Sequence, residues 1–108
     1  MRLILIDNNS GFIFGDFVSI DYTGNYSADD CMIDAAKHID ADIGAKDRVY
    51  TVSRSAPNST QTGYHVYRAD VRGSEQVGAI TDGQDSEMIE AVERDCEYFG
   101  FVSCNDAA

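Results

Sequence analysis

The chain has 108 residues, 44% of them hydrophobic, and carries 19 Asp and Glu against 8 Lys and Arg, a formal net charge of −11. That length bounds it to a single domain (1–108), and its apolar content is too high for an intrinsically disordered acidic chain. The sign of the charge disfavours direct binding to nucleic acid.

At the N-terminus "RLILI" is a continuous apolar run, followed by the turn formers "DNNS" and then "GFIFGD". Arg2 to Ile6 and Phe12 to Phe14 therefore read as the two arms of a β-hairpin, the second extending towards "FVSIDY" before "YTGNYS" breaks the pattern. The apolar run before Asp7 is only four residues long, far short of a secretory h-region or a membrane span, so the expectation is a cytoplasmic protein with no membrane partner.

Ser27 and Asp30 form the Ser-x-x-Asp signature of a helix start, and Gly44 is a fitting stop. Between them Ala28, Met32, Ala35, Ala36, Ile39 and Ile43 fall on one side at 3.6-residue spacing, with Asp34, Lys37, His38 and Asp42 away from its centre. "RVYTVSR" and "GYHVYRADV" read as strands, and "SAPNSTQT" between them as a long hairpin loop. "EQVGAI" is a candidate short strand and "TDGQD" a turn that delivers Asp85 as an N-cap. From Asp85 to Gly100 the spacing predicts a second helix with six carboxylates and one arginine. Its buried stripe would be Met88, Ile89, Val92, Cys96 and Phe99. Gly100 would end it before a short strand "FVSC", with "NDAA" frayed.

The expected fold is α+β, a mostly antiparallel sheet of about five strands with two amphipathic helices on one face. The element order contains the β-α-β-β-α-β of ferredoxin-like folds with an added N-terminal strand.

Charge is unevenly distributed along this order. The two helical regions, residues 27–44 and 82–98, hold twelve acids against Lys37 and Arg94, and so account for ten of the eleven net negative charges. Residues 48–72 hold Arg48, Arg54, Arg68 and Arg72 against Asp70. Glu87, Glu90, Glu93 and Glu97 lie opposite the apolar stripe of the second helix, so they read as a solvated face rather than core carboxylates with forced pKa values. Like charges at i,i+3 work slightly against their own helix. One account of such a face is a salty cytoplasm, which two lysines against fourteen aspartates would suit.

The other account is a basic protein partner. Carboxylates along helices can imitate the phosphates of a duplex and so occupy a nucleic-acid-binding protein. Asp85, Glu87, Glu90, Glu93 and Glu97, with Asp34 and Asp42 from the first helix, are the candidate partner-binding residues. In size and charge alone the chain resembles DNA-mimic and anti-CRISPR inhibitors, which implies a non-catalytic inhibitor; no motif carries a residue across.

The alternative is a small enzyme or ligand-binding domain on the sheet side around His65, Tyr67, Arg54 and Arg68, where a His, an aromatic and two arginines could hold an anion. Ser53 or Cys104 would be the nucleophile facing His65. Asp34, His38 and Asp42 share the i, i+4, i+8 spacing of metal ligands, but one His on an exposed face reads as polar neighbours. "TDGQDSE" lacks the calcium-loop spacing, and Cys31, Cys96 and Cys104 lack both zinc pairing and an even number, so they read as reduced thiols. No Gly-rich nucleotide motif is present, and no cofactor or metal is expected.

Overall fold

The computed structural model describes residues 1–18, 27–55 and 57–106. Five strands, β1 (Arg2–Asp7), β2 (Ile13–Val18), β3 (Arg48–Ser53), β4 (Gly63–Arg68) and β5 (Glu97–Asp106), form one sheet in the order β2-β1-β4-β5-β3. Two helices, α1 (Ala28–Asp42) and α2 (Ser86–Asp95), and a 3₁₀ turn at Ser74–Gln76 complete the chain. Every neighbouring pair of strands is antiparallel, and the fold is α+β. Among the described residues no helix is long and apolar enough to cross a membrane.

The β1–β2 hairpin forms where the sequence places it. At its tip the Asp7 carboxylate accepts from the backbone N–H groups of Asn9 and Ser10 and from the Ser10 hydroxyl. Helix α1 also starts as expected: the Ser27 hydroxyl accepts from the Asp30 N–H, while the Asp30 carboxylate accepts from the Ser27 N–H, a reciprocal capping box. The continuation of β2 beyond Val18 and the break at "YTGNYS" lie outside the described residues.

The helices do not share a face. Leu3 and Leu5 of β1, with Tyr64, Val66, Val102 and Cys104, pack against Cys31, Met32, Ala35, Ala36 and Ile39 of α1. Ile4 and Ile6 of the same strand pack on the other side with Ile13, Ala69, Val77, Ile80 and Val92, joined by Met88, Ile89 and Cys96. The sheet is therefore covered on both sides, α1 on one and α2 with residues 69–80 on the other. A strand buried on both faces needs apolar side chains at consecutive positions, and "LILI" supplies them. The ferredoxin-like expectation does not hold, because that arrangement keeps both helices on one face with the last strand at an edge of the sheet, whereas here the helices lie on opposite faces and β5 is inserted between β4 and β3.

Three further expectations are corrected. β3 and β4 are not a hairpin: β5 lies between them and pairs with both. "EQVGAI" forms no strand; the Ser74 hydroxyl donates to the Ala69 and Val71 carbonyls, the chain turns through the 3₁₀ segment, and Val77 and Ile80 drop into the α2 layer. Helix α2 stops at Asp95, not Gly100, and β5 begins at Glu97.

The last change follows from strand pairing. Tyr98, Phe99, Phe101 and Val102 are strand formers, and β5 gains ladder bonds on both edges that a longer helix would forfeit. Asn105 and Asp106, expected to fray, pair with Val49 and Arg48. Phe99 thereby leaves the expected stripe of α2 and packs on the α1 side, its ring 5.7 Å from the Arg54 guanidinium. Gly100, at φ +149°, sits beside the irregularity in the β4–β5 register; a Cβ there would come within 2.6 Å of Arg54 Nη1 and 3.0 Å of the Ser53 carbonyl.

Candidate functional site

Because α1 and α2 lie on opposite faces, the seven candidate partner-binding acids do not form one surface. Asp34 and Asp42 are exposed on the α1 side. Glu87, Glu90 and Glu93 are exposed on α2, and Glu97 lies on β5 opposite Arg68. Asp85 is committed to its helix, its carboxylate accepting from the Glu87 and Met88 N–H groups at 3.1 and 3.2 Å.

Six of the eighteen described acids are ion-paired, and the α2 glutamates are not among them. Among the described residues, ion pairs engage Asp16 with Arg2, Asp29 with Arg54, Asp40 and Asp106 with Arg48, Asp70 with Arg68, and Asp95 with Arg94. Glu87, Glu90 and Glu93 enter none of these pairs. They present their charge on one side of a single helix, offset in part by the attraction between Glu90 and Arg94.

Asp40, which enters the sequence reading only in the charge count of residues 27–44, is 1% exposed. Its carboxylate accepts from the Tyr64 hydroxyl at 2.8 Å, the Tyr50 hydroxyl at 2.5 Å and Arg48 Nη1 at 3.2 Å. Burial and the bond to Asp40 push both tyrosine hydroxyls well above their ordinary range. The cluster clamps α1 to β3 and β4. The signal was present in the spacing, since Asp40 directly follows the buried Ile39 and lies four residues beyond Ala36 on the same side of the helix.

The proposed anion set is divided by the sheet. His65 and Tyr67 point to the α2 side. Arg68 falls by alternation on the side of Tyr64 and Val66, and Arg54 lies over Phe99 with Nη2 donating to Asp29 at 2.7 Å. No single ligand on one face can meet all four. Cys104 also faces α1, away from His65, and burial pushes its thiol up to about 12. Ser53 is two strands from His65, with Phe101 of β5 between them.

His65 is held at both ring nitrogens, by Tyr98 Oη at 3.0 Å on Nδ1 and Asn8 Oδ1 at 2.9 Å on Nε2. The Asn8 amide nitrogen donates to the Asn58 and Gln61 carbonyls at 2.9 and 2.8 Å, which fixes Oδ1 as the atom facing the ring. Nε2 therefore carries the proton, and Nδ1 accepts from the Tyr98 hydroxyl. Burial lowers the His65 pKa, opposed by Glu93 and Asp7, which agrees with a neutral ring. Neither nitrogen is left over for a metal or for a nucleophile. The hairpin tip, read first as a turn, thus also reaches β4 and β5 through this ring.

Beside His65 a cavity of about 310 Å³ opens between the tip and α2, lined by Ile6, Asp7, Asn8, Gly11, His65, Tyr67, Ile89 and Glu93. Burial, with help from Glu93, pushes the Tyr67 hydroxyl up to about 12, so it is a protonated donor at neutral pH. Glu93 is thus common to the acidic face and the His65 region. Sequence spacing did not bring it there, because the contact depends on α2 lying over β1 and β4. Among the described residues no group of three or more His, Cys, Asp or Glu is arranged to hold a metal ion.

Comparison with known proteins finds no family model, no curated protein and no solved structure that matches the chain.

Proposed function

We propose that the protein is a non-catalytic binding protein whose α2 face docks on a basic partner, a nucleic-acid-binding protein that it inhibits by occupying the phosphate-reading surface. One observation carries this reading: Glu87, Glu90 and Glu93 are exposed on α2 and take part in none of the ion pairs among the described residues. Unpaired charges of one sign on a rigid helix raise the rate of encounter with a surface of opposite sign and discriminate against like-charged partners. The α1 acids on the opposite side of the sheet are not part of this surface.

The test is capture of partners from the native lysate, with mass-spectrometric identification, by the intact chain and by the triple variant Glu87→Lys, Glu90→Lys, Glu93→Lys. A basic protein held by the former, lost with the variant and displaced by duplex DNA is the expected result. Capture unchanged by charge reversal overturns the reading.

A second reading, a ligand-binding domain, is favoured by the cavity beside His65, which lies at the small end of the range for ligand sites. Its ligand would not be the anion expected from the sequence, because Arg54 and Arg68 are on the other face.

A further inference from the structure

We infer that the cavity between the β1–β2 tip and α2 is a receptor for one basic side chain, an arginine or lysine of the docking partner. This rests on the docking reading and names its anchor point. The cavity's lining contains no Lys or Arg, while Glu93 stands at its edge with no Lys or Arg in ion-pair range among the described residues. Ile6 and Ile89 supply apolar wall for an aliphatic stem, and long basic side chains bury such stems while keeping the charged head at a polar rim.

The aromatic part of the site suits a cation. Tyr67 lines the cavity and packs edge-on against Tyr98 with ring centroids 5.2 Å apart, while His65 packs edge-on against Phe101 at 5.1 Å, so both lining rings are braced from behind. Braced aromatic rings beside a carboxylate are what a guanidinium or ammonium needs, through cation–π attraction and a charge-assisted hydrogen bond. His65 does not oppose this, because its bonds to Asn8 and Tyr98 are those of a neutral tautomer. Asp7 adds negative potential although one of its oxygens is held by the turn.

The size of the cavity also selects the occupant. A volume of about 310 Å³ admits one long side chain, not a helix or strand of a partner. Glu87 and Glu90, on the same helix but outside the lining, would draw the basic surface in, and Glu93 would hold one residue of it. Such a division is common at interfaces, where a few desolvated anchors carry most of the affinity and rim charges set the rate. The α1-side cavity of about 330 Å³ contains Asp16, Asp34 and Asp42 with Phe17 and the exposed His38 as its rings, and Asp16 is already paired with Arg2.

The experiment is an NMR titration of the full chain, following the ring resonances of His65 and Tyr67, with N-acetyl-arginine amide and its neutral isostere N-acetyl-citrulline amide. The arginine probe is expected to give saturable shifts at both rings. The citrulline probe, and the arginine probe on Glu93→Gln, should bind about tenfold more weakly, the scale of losing one hydrogen bond to a charged group. A Glu87→Gln, Glu90→Gln variant should bind the arginine probe as the unaltered chain does. Equal binding of the two probes, no effect of Glu93→Gln, or no saturable shift overturns the anchor. In that case lysate capture that still depends on Glu87 and Glu90 leaves the docking reading standing. Arginine binding together with capture insensitive to charge reversal overturns docking instead.

Discussion

The Tyr64 hydroxyl donates to the Asp40 carboxylate at 2.8 Å, and Asp40 is buried on a helix whose other four aspartates face solvent. Tyr50 and Arg48 complete the shell, so the charge is compensated where it sits. Removing a carboxylate that satisfies three donors leaves all three to find new partners in a confined space.

Asp40→Ala is therefore expected to cost about 3 kcal/mol of unfolding free energy, with Tyr64→Phe costing about half as much. Asp34→Ala, on the same helix but exposed, should stay within about 0.5 kcal/mol. Urea unfolding followed by far-UV circular dichroism measures all three. Equal effects of Asp40→Ala and Asp34→Ala would show that the cluster is not a clamp.

His65 gives a pH dependence of known sign. Its folded pKa lies below the ordinary 6.5, chiefly through burial, so the unfolded chain takes up the proton more readily. Stability contributed by the neutral ring is complete above about pH 6.5 and is lost as pH falls from there through the folded value. Glu93 and Asp7, which face the ring, reduce the effect without reversing it. Denaturant midpoints compared at pH 7.5 and pH 5.5 should fall on acidification by more in the native chain than in His65→Gln, which cannot titrate. A variant that loses as much as the native chain over that interval would assign the dependence to other groups.

Much of this architecture is visible in the residues themselves. The Ser27 capping box, the Asp85 cap and the turn after Asp7 use side chains whose local hydrogen bonds are strong enough to act without tertiary help. The run Leu3–Ile6 also announced cover on both sides, since a strand with one solvated face would alternate. Placing both helices on one face neglected that signal.

Other features depend on long-range pairing and left little local trace. The end of α2 at Asp95 was hidden because Cys96 and Phe99 continue the helical spacing. Only the insertion of β5 between β3 and β4 draws residues 97–106 into a strand. The same insertion brings Arg54 over Phe99 on the face opposite His65, while Arg68 falls there by simple alternation along β4, which was legible in the sequence, and together these break the anion site. Glu93, expected as one of several equivalent surface acids, is distinguished by what α2 packs on rather than by anything within α2.

Ionic strength separates an interface from adaptation to salt. The repulsion acts mainly between Glu87 and Glu90 and between Glu90 and Glu93, pairs spaced i,i+3 on α2, each costing about 0.2–0.5 kcal/mol when unscreened. Attraction between Glu90 and Arg94 offsets part of this. Apolar cores on both sides of the sheet, including a central strand with Leu3 to Ile6 almost wholly buried, provide far more stabilisation than such pairs remove. The chain should therefore be folded in dilute buffer. Its melting temperature should rise by only a few degrees as the Debye length shrinks from about 30 Å at 0.01 M to about 3 Å at 1 M salt. Glu90→Gln, which removes both i,i+3 repulsions, should recover part of that rise at low salt and none at high salt. Thermal melts across this range, read by circular dichroism, make the measurement. A chain largely unfolded at 0.01 M and firm at 1 M would mean that the glutamates on α2 serve a salty medium and not a partner.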